Sequence, residues 1–380
     1  MKINSKLPNV GTNIFSVMAK MSNDHNAINL SQGFPDFPVS QELIDGIYHY
    51  MNIGRNQYPP MTGVPELRKN IAKKIHTTYN WNVDMDEEIT VTAGAIEGIN
   101  STITAFVNSG DEVIIIDPAY DAYAPIIELN GAQPISVPLK NDDFSIDWNR
   151  VKNSISDRTR MLIINSPHNP TGSIISRSDL EILTELTRNT DILVLSDEVY
   201  EHIIFDGEIH QSVLWIDELR QRSIAVYSFG KTFHATGWRV GYVIAPAFLT
   251  KEIRKVHQYM AFVAHTPTQL AIADYLENPV HYESVCNLYQ PKRDLFLKLM
   301  KDSRFEPAEC SGTYFQLMSY KNISDRPDTE MAEWITKEHG VASIPISVFY
   351  KDRQDNKMLR FCFAKGEETL QKAAEILCKI

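Results

Sequence analysis

From about residue 88 the chain alternates short apolar segments with longer amphipathic ones, and this pattern constrains the fold more than any other feature. The apolar segments are hydrophobic along almost their whole length, as is typical of strands buried on both faces of a parallel sheet. Helices between such strands cover the two faces of the sheet. We therefore predict an α/β protein whose main sheet is mostly parallel. The predicted strands cover residues 89–92, 112–116, 160–164, 191–195, 223–227 and 239–244, and the predicted helices cover 96–107, 120–129 and 177–188.

The rhythm changes at about residue 287, where a long helical stretch is followed by two strand-like segments, 312–317 and 357–363, and a terminal helix. This order of elements predicts a smaller α+β domain. The N-terminal segment is rich in proline and asparagine and is expected to pack on this second domain rather than fold alone. The predicted large domain covers residues 46–286, and the predicted small domain combines residues 1–45 with 287–380.

The composition argues against several classes of partner. The chain has 37 Lys and Arg against 48 Asp and Glu residues, a net charge of −11, and no basic block, so neither nucleic acid nor an anionic membrane is an expected partner. No apolar run approaches membrane-spanning length, and the N-terminus lacks the apolar core of a signal peptide. Four cysteines without paired spacing and histidines without a metal-binding cluster predict a reduced cytoplasmic protein with no metal site.

Lys231 is the residue with the most specific chemical surroundings. It follows an apolar, β-branched segment, with Ser228 three residues before it and Arg239 eight residues after it. This pattern suits a lysine that forms an imine with an aldehyde cofactor, while the serine hydroxyl and the guanidinium group hold the phosphate of that cofactor. Taken alone, the same lysine could be an ordinary solvated residue beside a turn.

A second interpretation of the same segment is a nucleotide-binding loop, since Gly230-Lys231-Thr232 resembles the end of a Walker A motif. That motif requires glycine at the position that Ala225 occupies, and the residues between are bulky where a phosphate loop needs close backbone approach. The segment that resembles a Walker B strand, residues 192–198, precedes the lysine instead of following it. The sequence therefore disfavours a nucleotide hydrolase.

Three loops at the carboxyl ends of predicted strands carry further candidates, because ligands of buried parallel sheets bind there. Residues 92–98 join a strand to a helix start, which offers backbone N–H groups to an anion. Asn169 lies between two prolines, in a segment that is either a simple turn or a means of directing its amide toward a ligand. Asp197 ends an apolar strand, where a carboxylate is costly unless it has a hydrogen-bond or cationic partner.

Taken in order, these motifs resemble the class I aminotransferases, pyridoxal phosphate enzymes of the aspartate aminotransferase fold, and the match spans nearly the whole chain. Within that family the chain is similar to bacterial methionine aminotransferases and to kynurenine/glutamine aminotransferases. The segments that carry the resemblance are Asn-Leu-Ser-Gln-Gly-Phe-Pro-Asp at 29–36, Tyr-Pro-Pro-Met-Thr-Gly at 58–63, Ser-Asp-Glu-Val-Tyr-Glu-His at 196–202 and Lys-Val-His-Gln-Tyr at 255–259. The resemblance implies the type I fold of such enzymes, with a large and a small domain.

The resemblance also implies a role for each candidate at the cofactor. Lys231 would hold pyridoxal 5'-phosphate as an aldimine and then act as general acid and base. Asp197 would pair with the ring nitrogen, and Tyr120 would stack on the ring. The other implied cofactor contacts are Tyr200 and Asn169 at the phenolic oxygen, and Ala95, Ile96, Ser228 and Arg239 at the phosphate. Relatives often have lysine where this chain has Arg239, a change that keeps the charge.

On the substrate side, the resemblance implies that Arg360 binds the α-carboxylate, helped by Asn169 and the backbone of Gly33. Tyr58 would reach the phosphate of the neighbouring subunit, which implies a homodimer with two shared sites. The side-chain pocket would be apolar and aromatic. The resemblance implies that its walls are Ile14, Phe15, Tyr58 and Tyr120. His265 of the partner subunit would complete them.

An apolar pocket without a second arginine favours a thioether or an aromatic ring over a side-chain carboxylate. The expected activity is therefore ping-pong transfer of an amino group from methionine to a 2-oxo acid, with aromatic amino acids and glutamine as further substrates. The alternative is a carbon–sulfur β-lyase on the same fold, acting on cysteine conjugates.

Overall fold

The computed structural model describes residues 4–380; residues 1–3, which belong to the predicted small domain, lie outside the described part of the chain. Its strands form a seven-stranded sheet, a four-stranded sheet and a two-stranded sheet. The strands are β1 (Ile28–Asn29), β2 (Ile89–Thr92), β3 (Glu112–Asp117), β4 (Gln133–Pro138), β5 (Thr159–Asn165), β6 (Leu193–Asp197), β7 (Ser223–Ser228), β8 (Gly241–Ile244), β9 (Glu306–Pro307), β10 (Phe315–Ser319), β11 (Val341–Ala342), β12 (Ile344–Pro345) and β13 (Met358–Cys362).

The seven-stranded sheet has the order β2-β8-β7-β6-β5-β3-β4. Strand β8 runs antiparallel to both of its neighbours, and the other pairs are parallel. Successive residues of one strand enter different cores: Ile114 and Ile116 belong to one hydrophobic cluster, whereas Val113 and Ile115 belong to another. The sheet therefore buries both faces, which explains why its strands are apolar without alternation and confirms the predicted mostly parallel α/β architecture.

Helices pack on both faces of this sheet, and further helices lie in the N-terminal and C-terminal parts of the chain. They are α1 (Ile14–Asp24), α2 (Gln41–Asn52), α3 (Pro65–Tyr79), α4 (Ala95–Phe106), α5 (Tyr123–Leu129), α6 (Trp148–Ser154), α7 (Arg177–Thr187), α8 (Asp217–Arg220), α9 (Phe229–Thr232), α10 (Ala247–Met260), α11 (Thr266–Leu276), α12 (Val280–Glu283), α13 (Val285–Leu299), α14 (Asp328–Trp334) and α15 (Glu367–Leu377). Across residues 4–380, no helix combines the length and the apolar character that crossing a membrane requires.

The C-terminal part contains the antiparallel sheet β12-β13-β10-β9, with α13 and α15 packed together. The N-terminal segment joins this part through parallel pairing of β1 with β11, in which Ile28 lies opposite Val341. The backbone N–H of Cys362 also donates to the carbonyl of Leu30. The boundaries of the two domains, 46–286 against 1–45 with 287–380, stay a prediction.

Most predicted elements of the large sheet are present within a few residues of their predicted bounds, and three differences have physical causes. Strand β8 begins at Gly241 instead of 239 because Arg239 has a left-handed backbone with φ 55°. Helix α5 begins at Tyr123 instead of 120, after a turn that follows β3. Strand β4 was not predicted; it contains two prolines, which are tolerated because it lies at the edge of the sheet.

Candidate active site

The carboxyl ends of three adjacent parallel strands meet at the centre of the large sheet. Their last residues are Asn165 in β5, Asp197 in β6 and Ser228 in β7, and Asn165 lies opposite Asp197 in the strand register. A cavity of about 210 Å³ opens at this edge. Its lining residues are Phe15, Gly33, Ala95, Ile96, Ile99, Tyr120, Asn165, Asn169, Asp197, Val199, Tyr200, Ser228, Lys231, Arg239, Phe315 and Arg360. The place is the one expected for ligands of a buried parallel sheet.

Lys231 lies in the one-turn helix α9, directly after β7, and its side chain points into the cavity. Its Nζ donates to the hydroxyl of Tyr314 at 3.0 Å and lies 3.5 Å from the carbonyl oxygen of Gly33. Burial lowers the pKa of Lys231 to about 8, because the charged form loses hydration. A lysine in this state supplies a neutral amine near physiological pH, which both nucleophilic and base catalysis require.

Asp197 is buried at the end of β6, and its carboxylate is partnered. The hydroxyl of Tyr123 donates to Oδ2 at 2.6 Å, and the backbone N–H of Val199 lies 3.4 Å from Oδ1. Burial raises the pKa of Asp197 to about 6, while the bond from Tyr123 acts in the opposite direction. The group is therefore mainly ionised at neutral pH and offers a negative charge to a cationic ring at the floor of the cavity.

Arg360 is fully buried on β13, opposite Leu317 of β10. Nη1 donates to Oδ1 of Asn169 at 2.7 Å, and Nη2 donates to the carbonyl of Ser31 at 3.0 Å, whereas Nε has no hydrogen-bond partner among residues 4–380. Burial lowers the pKa of Arg360 from its ordinary value, but a guanidinium group stays charged at neutral pH. A buried cation with an unsatisfied N–H is a suitable receptor for a carboxylate.

Aromatic rings surround this cation. The guanidinium carbon of Arg360 lies 3.9 Å from the ring centre of Phe315, 5.2 Å from that of Phe15 and 5.7 Å from that of Phe349. The carboxylate receptor therefore has an apolar, aromatic neighbourhood, and any group attached to a bound carboxylate would lie beside these rings.

The opposite end of the cavity offers several donors to an anion. Helix α4 begins at Ala95, and the N–H groups of Ala95 and Ile96 have no partner within the helix, whereas those of Glu97 and Gly98 donate to the carbonyl of the N-cap residue Gly94. Gly94 has φ +81°, and a Cβ there would lie 2.7 Å from Nη2 of Arg239. Gly241 is also required, because its Cβ would lie 2.9 Å from the backbone nitrogen of Ala95. Two glycines thus bring a helix N-terminus and a guanidinium group together at one place.

Two tyrosines line the wall between the two ends. Burial raises the pKa of Tyr120 to about 12, and it also raises the pKa of Tyr200 well above the ordinary value. Both hydroxyls are therefore protonated at neutral pH and can donate hydrogen bonds.

Most residues that the sequence proposed for the site line this cavity, and Ile14 and Tyr58 do not. Ile14 packs against the hydrophobic core instead, while its neighbour Phe15 reaches the cavity. Tyr58 is 80% exposed and packs edge-on against Phe262, with ring centres 5.6 Å apart. His265 lies outside the cavity as well, with Nδ1 2.8 Å from the hydroxyl oxygen of Thr268. Their predicted roles stay predictions.

Sequence reasoning missed several residues of the site. Tyr123 was hidden inside a predicted helix, although its spacing of three from Tyr120 places both on one helical face. Tyr314 and Phe315 were assigned only to a strand. The remaining residues missed are Ile99, Asn165 and Val199, which lie three, four and one positions in the sequence from the proposed site residues Ile96, Asn169 and Tyr200. No group of three or more His, Cys, Asp or Glu side chains within residues 4–380 is arranged to hold a metal ion.

Comparison with known proteins places the chain in a family. The family model described as aminotransferase class I and II matches residues 25–377. The chain is 48% identical to the methionine aminotransferase of Escherichia coli over 98% of this chain and 97% of the relative. It is 30% identical to human kynurenine–oxoglutarate transaminase 1, over 98% and 97% of the two chains.

Solved structures of aminotransferases are also similar to this chain. The chain superposes on Escherichia coli YbdL, a protein whose structure and reactivity identify a methionine aminotransferase function, with a TM-score of 0.98, 48% identity and full coverage of both chains. It is also similar to N-succinyldiaminopimelate aminotransferase of Mycobacterium tuberculosis, with a TM-score of 0.96, 33% identity and full coverage of both chains.

Proposed function

The chain belongs to the class I and II aminotransferases, and we propose that it transfers the amino group of an apolar or aromatic amino acid, preferentially methionine, to a 2-oxo acid, using pyridoxal 5'-phosphate. Enzymes of this family use that cofactor. The single observation that carries the substrate class is the aromatic surrounding of the carboxylate receptor Arg360. The 48% identity to a methionine aminotransferase supports the preferred substrate.

The cavity fits pyridoxal phosphate by the chemistry of its donors. Gly94 leaves space beside Arg239 that a Cβ would fill, and helix α4 begins at the same place with the N–H groups of Ala95 and Ile96, as a phosphate requires. Asp197 provides the carboxylate for a protonated ring nitrogen. When bound, the cofactor supplies an aldehyde that takes up the amino group and a ring that stabilises negative charge at the substrate Cα.

The residues of the cavity would have separate roles in binding the cofactor and in proton transfer. Lys231, with its pKa lowered to about 8 by burial, moves the proton to and from the substrate Cα. Asp197 would keep the ring nitrogen of the bound cofactor protonated, and Tyr120 would cover the ring. Tyr200 and Asn169 would hold the phenolic oxygen. The phosphate contacts proposed are Ala95, Ile96, Ser228 and Arg239.

Arg360 orients the substrate by its carboxylate, with Asn169 and the backbone of Gly33 beside it. Of the described residues that line the cavity, Lys231, Arg239 and Arg360 are the cationic ones, and all three have a role already. A side-chain carboxylate would therefore be buried without a partner, which is costly, whereas a thioether gains from contact with aromatic rings. This difference favours methionine over aspartate.

We also propose that the enzyme is a homodimer in which Tyr58 serves the partner's site. Tyr58 is exposed on this chain together with Phe262, Tyr259 and Met260, a group of large apolar side chains that is unusual on a monomer surface. The domain boundaries and the cytoplasmic location stay predictions. Nothing observed favours the β-lyase, and the relatives named above are aminotransferases or transaminases.

The substrate proposal is tested by competition. The purified protein, loaded with pyridoxal phosphate, is given methionine, phenylalanine and aspartate together with a panel of 2-oxo acids, and kcat/KM is compared. The kcat/KM for methionine should exceed that for aspartate by at least about two orders of magnitude, because aspartate would bury one unpaired charge. A kcat/KM for aspartate above that for methionine would refute the proposal.

The role of Lys231 is tested by Lys231→Ala, which should abolish multiple turnover. The matched control is Lys292→Ala, which removes a partly buried lysine whose Nζ donates to the carbonyl of Lys365 at 2.9 Å, away from the cavity. The control should keep wild-type turnover. Substantial turnover by Lys231→Ala contradicts the assigned role.

A further inference from the structure

Tyr314 is a buried tyrosine that contacts the amine of Lys231, and it lies directly before strand β10. Its hydroxyl oxygen is 3.0 Å from Nζ of Lys231 and 2.7 Å from the carbonyl oxygen of Gly33. The three groups come from distant parts of the chain, since 281 positions separate Gly33 from Tyr314.

The direction of each hydrogen bond follows from the available protons. A tyrosine hydroxyl has one proton, and a carbonyl oxygen only accepts, so Tyr314 donates to Gly33. Its lone pairs therefore face Lys231, and Nζ is the donor in that contact. Nζ is also 3.5 Å from the Gly33 oxygen, so the amine has two acceptors on one side.

The surroundings fix this arrangement. The Tyr314 ring packs edge-on against Tyr200 at 5.3 Å and against Phe315 at 4.9 Å, and it is tilted against Tyr289 at 5.5 Å. Gly33 approaches so closely that a Cβ would lie 2.7 Å from the Phe315 ring. The hydroxyl and the carbonyl are therefore held in place before any ligand binds.

We propose that Tyr314 is a positioning residue of the aminotransferase reaction, which holds the free amine of Lys231 where it exchanges a proton with the substrate Cα. The proposal rests on the proposed function. Lys231 must have a free amine to act on the substrate Cα, and its flexible four-carbon stem would otherwise allow that amine many orientations. The hydroxyl of Tyr314 and the Gly33 carbonyl limit them.

The first test measures Lys231 itself in the full chain freed of cofactor. Competitive labelling with acetic anhydride over a pH range, followed by mass spectrometry of the peptide that contains Lys231, gives the pKa of its amine. An acceptor favours the charged amine, so Tyr314→Phe should lower this pKa further, by about one unit. The matched control is Tyr320→Phe. Tyr320 is equally buried, follows the other end of β10 and donates to the carbonyl of Arg326 at 2.9 Å.

The second test uses the loaded enzyme and α-deuterated methionine. Tyr314→Phe should lower kcat by about ten- to a hundredfold, increase the deuterium isotope effect on kcat, and change KM by less than about threefold, since Arg360 still binds the carboxylate. Tyr320→Phe should match wild type in both tests. A merely structural role for Tyr314 would lower the melting temperature without changing the isotope effect.

The outcomes are separable. An unchanged Lys231 titration in Tyr314→Phe, or equal changes in both variants, overturns the inference. If wild type does not turn over methionine at all, the proposed substrate is wrong, while the labelling of Lys231 still decides the role of Tyr314.

Discussion

Replacing Tyr123 with phenylalanine should weaken cofactor binding at low pH and leave it nearly unchanged at high pH. The hydroxyl of Tyr123 donates to Oδ2 of Asp197 at 2.6 Å, and both side chains are buried. This bond favours the ionised carboxylate, so its removal raises the pKa of Asp197, which burial has already raised to about 6. Since the proposed contact with the ring nitrogen requires the carboxylate, affinity should follow the ionised fraction.

The size of the effect can be estimated from the strength of that bond. A hydrogen bond to a charged group contributes about 2 kcal/mol, which corresponds to a rise of roughly one and a half in the pKa of Asp197. Starting from a pKa of about 6, the ratio of variant to wild-type Kd is then about eight at pH 6.5 and about one at pH 8.5. Protonation of the cofactor itself cancels in this ratio.

The assay is equilibrium binding of pyridoxal phosphate to cofactor-free wild type and variant between pH 6.5 and 8.5. Tyr79→Phe is the matched control, because buried Tyr79 donates to a carboxylate outside the cavity, Oε2 of Glu201, at 3.1 Å. The control ratio should stay close to one and independent of pH. A Tyr123→Phe ratio that does not change with pH would refute the reasoning that connects the hydroxyl to the charge of Asp197.

Two further substitutions test the anion end of the cavity and the core. Gly94→Ala introduces a Cβ 2.7 Å from Nη2 of Arg239 at φ +81°, whereas Gly54→Ala has φ +82° and open space. Gly94→Ala should lose about 1–3 kcal/mol of stability in urea unfolding, because its ψ of 165° lies in a region that residues other than glycine rarely adopt, and Gly54→Ala should lose about 1 kcal/mol. Only Gly94→Ala should weaken pyridoxal phosphate binding, by about tenfold, and equal Kd values for the two variants would contradict the assignment of this end of the cavity to the phosphate. Lys74→Met removes the cation of the buried ion pair with Glu201, whose N–O distance is 2.6 Å, and it leaves that carboxylate with the hydroxyl of Tyr79 as a donor but without its cation. It should cost about 3–5 kcal/mol in urea unfolding, and a loss under 1 kcal/mol would show that the partner is otherwise satisfied.

Much of the large sheet was predictable, because its strands are buried on both faces and their apolar segments leave few alternatives. Strand β6 shows the limit of such prediction. The sequence placed its apolar part at 191–195 and Asp197 at its carboxyl end, whereas the strand covers Leu193–Asp197, since the two polar residues that follow the apolar run also pair with the neighbouring strands. Strand β4 was missed because its edge position, which makes two prolines acceptable, depends on the order of strands in space.

The candidate site likewise contains residues that the sequence predicted and residues that only the structure revealed. The motifs around Lys231 and Asp197 were visible in the sequence as residue types at characteristic places, whereas Arg360 was implied only by the family resemblance, and the structure brings all three to one cavity. Tyr123 and Tyr314 were not visible as site residues. Each acts through a partner that is far away in the chain, with 74 positions between Tyr123 and Asp197 and 83 between Tyr314 and Lys231.

The sequence by itself determined the class of fold and the family, and it predicted Lys231 as the reacting lysine, because apolar segments and ordered motifs are local properties of the chain. Only the tertiary structure decided which hydroxyl faces which charge. Burial sets the pKa of Lys231 at about 8 and that of Asp197 at about 6, and burial is a property of packing that no local pattern contains. The chemistry of Lys231 therefore depends on the elements that surround it, and the motif that identifies it does not fix those surroundings.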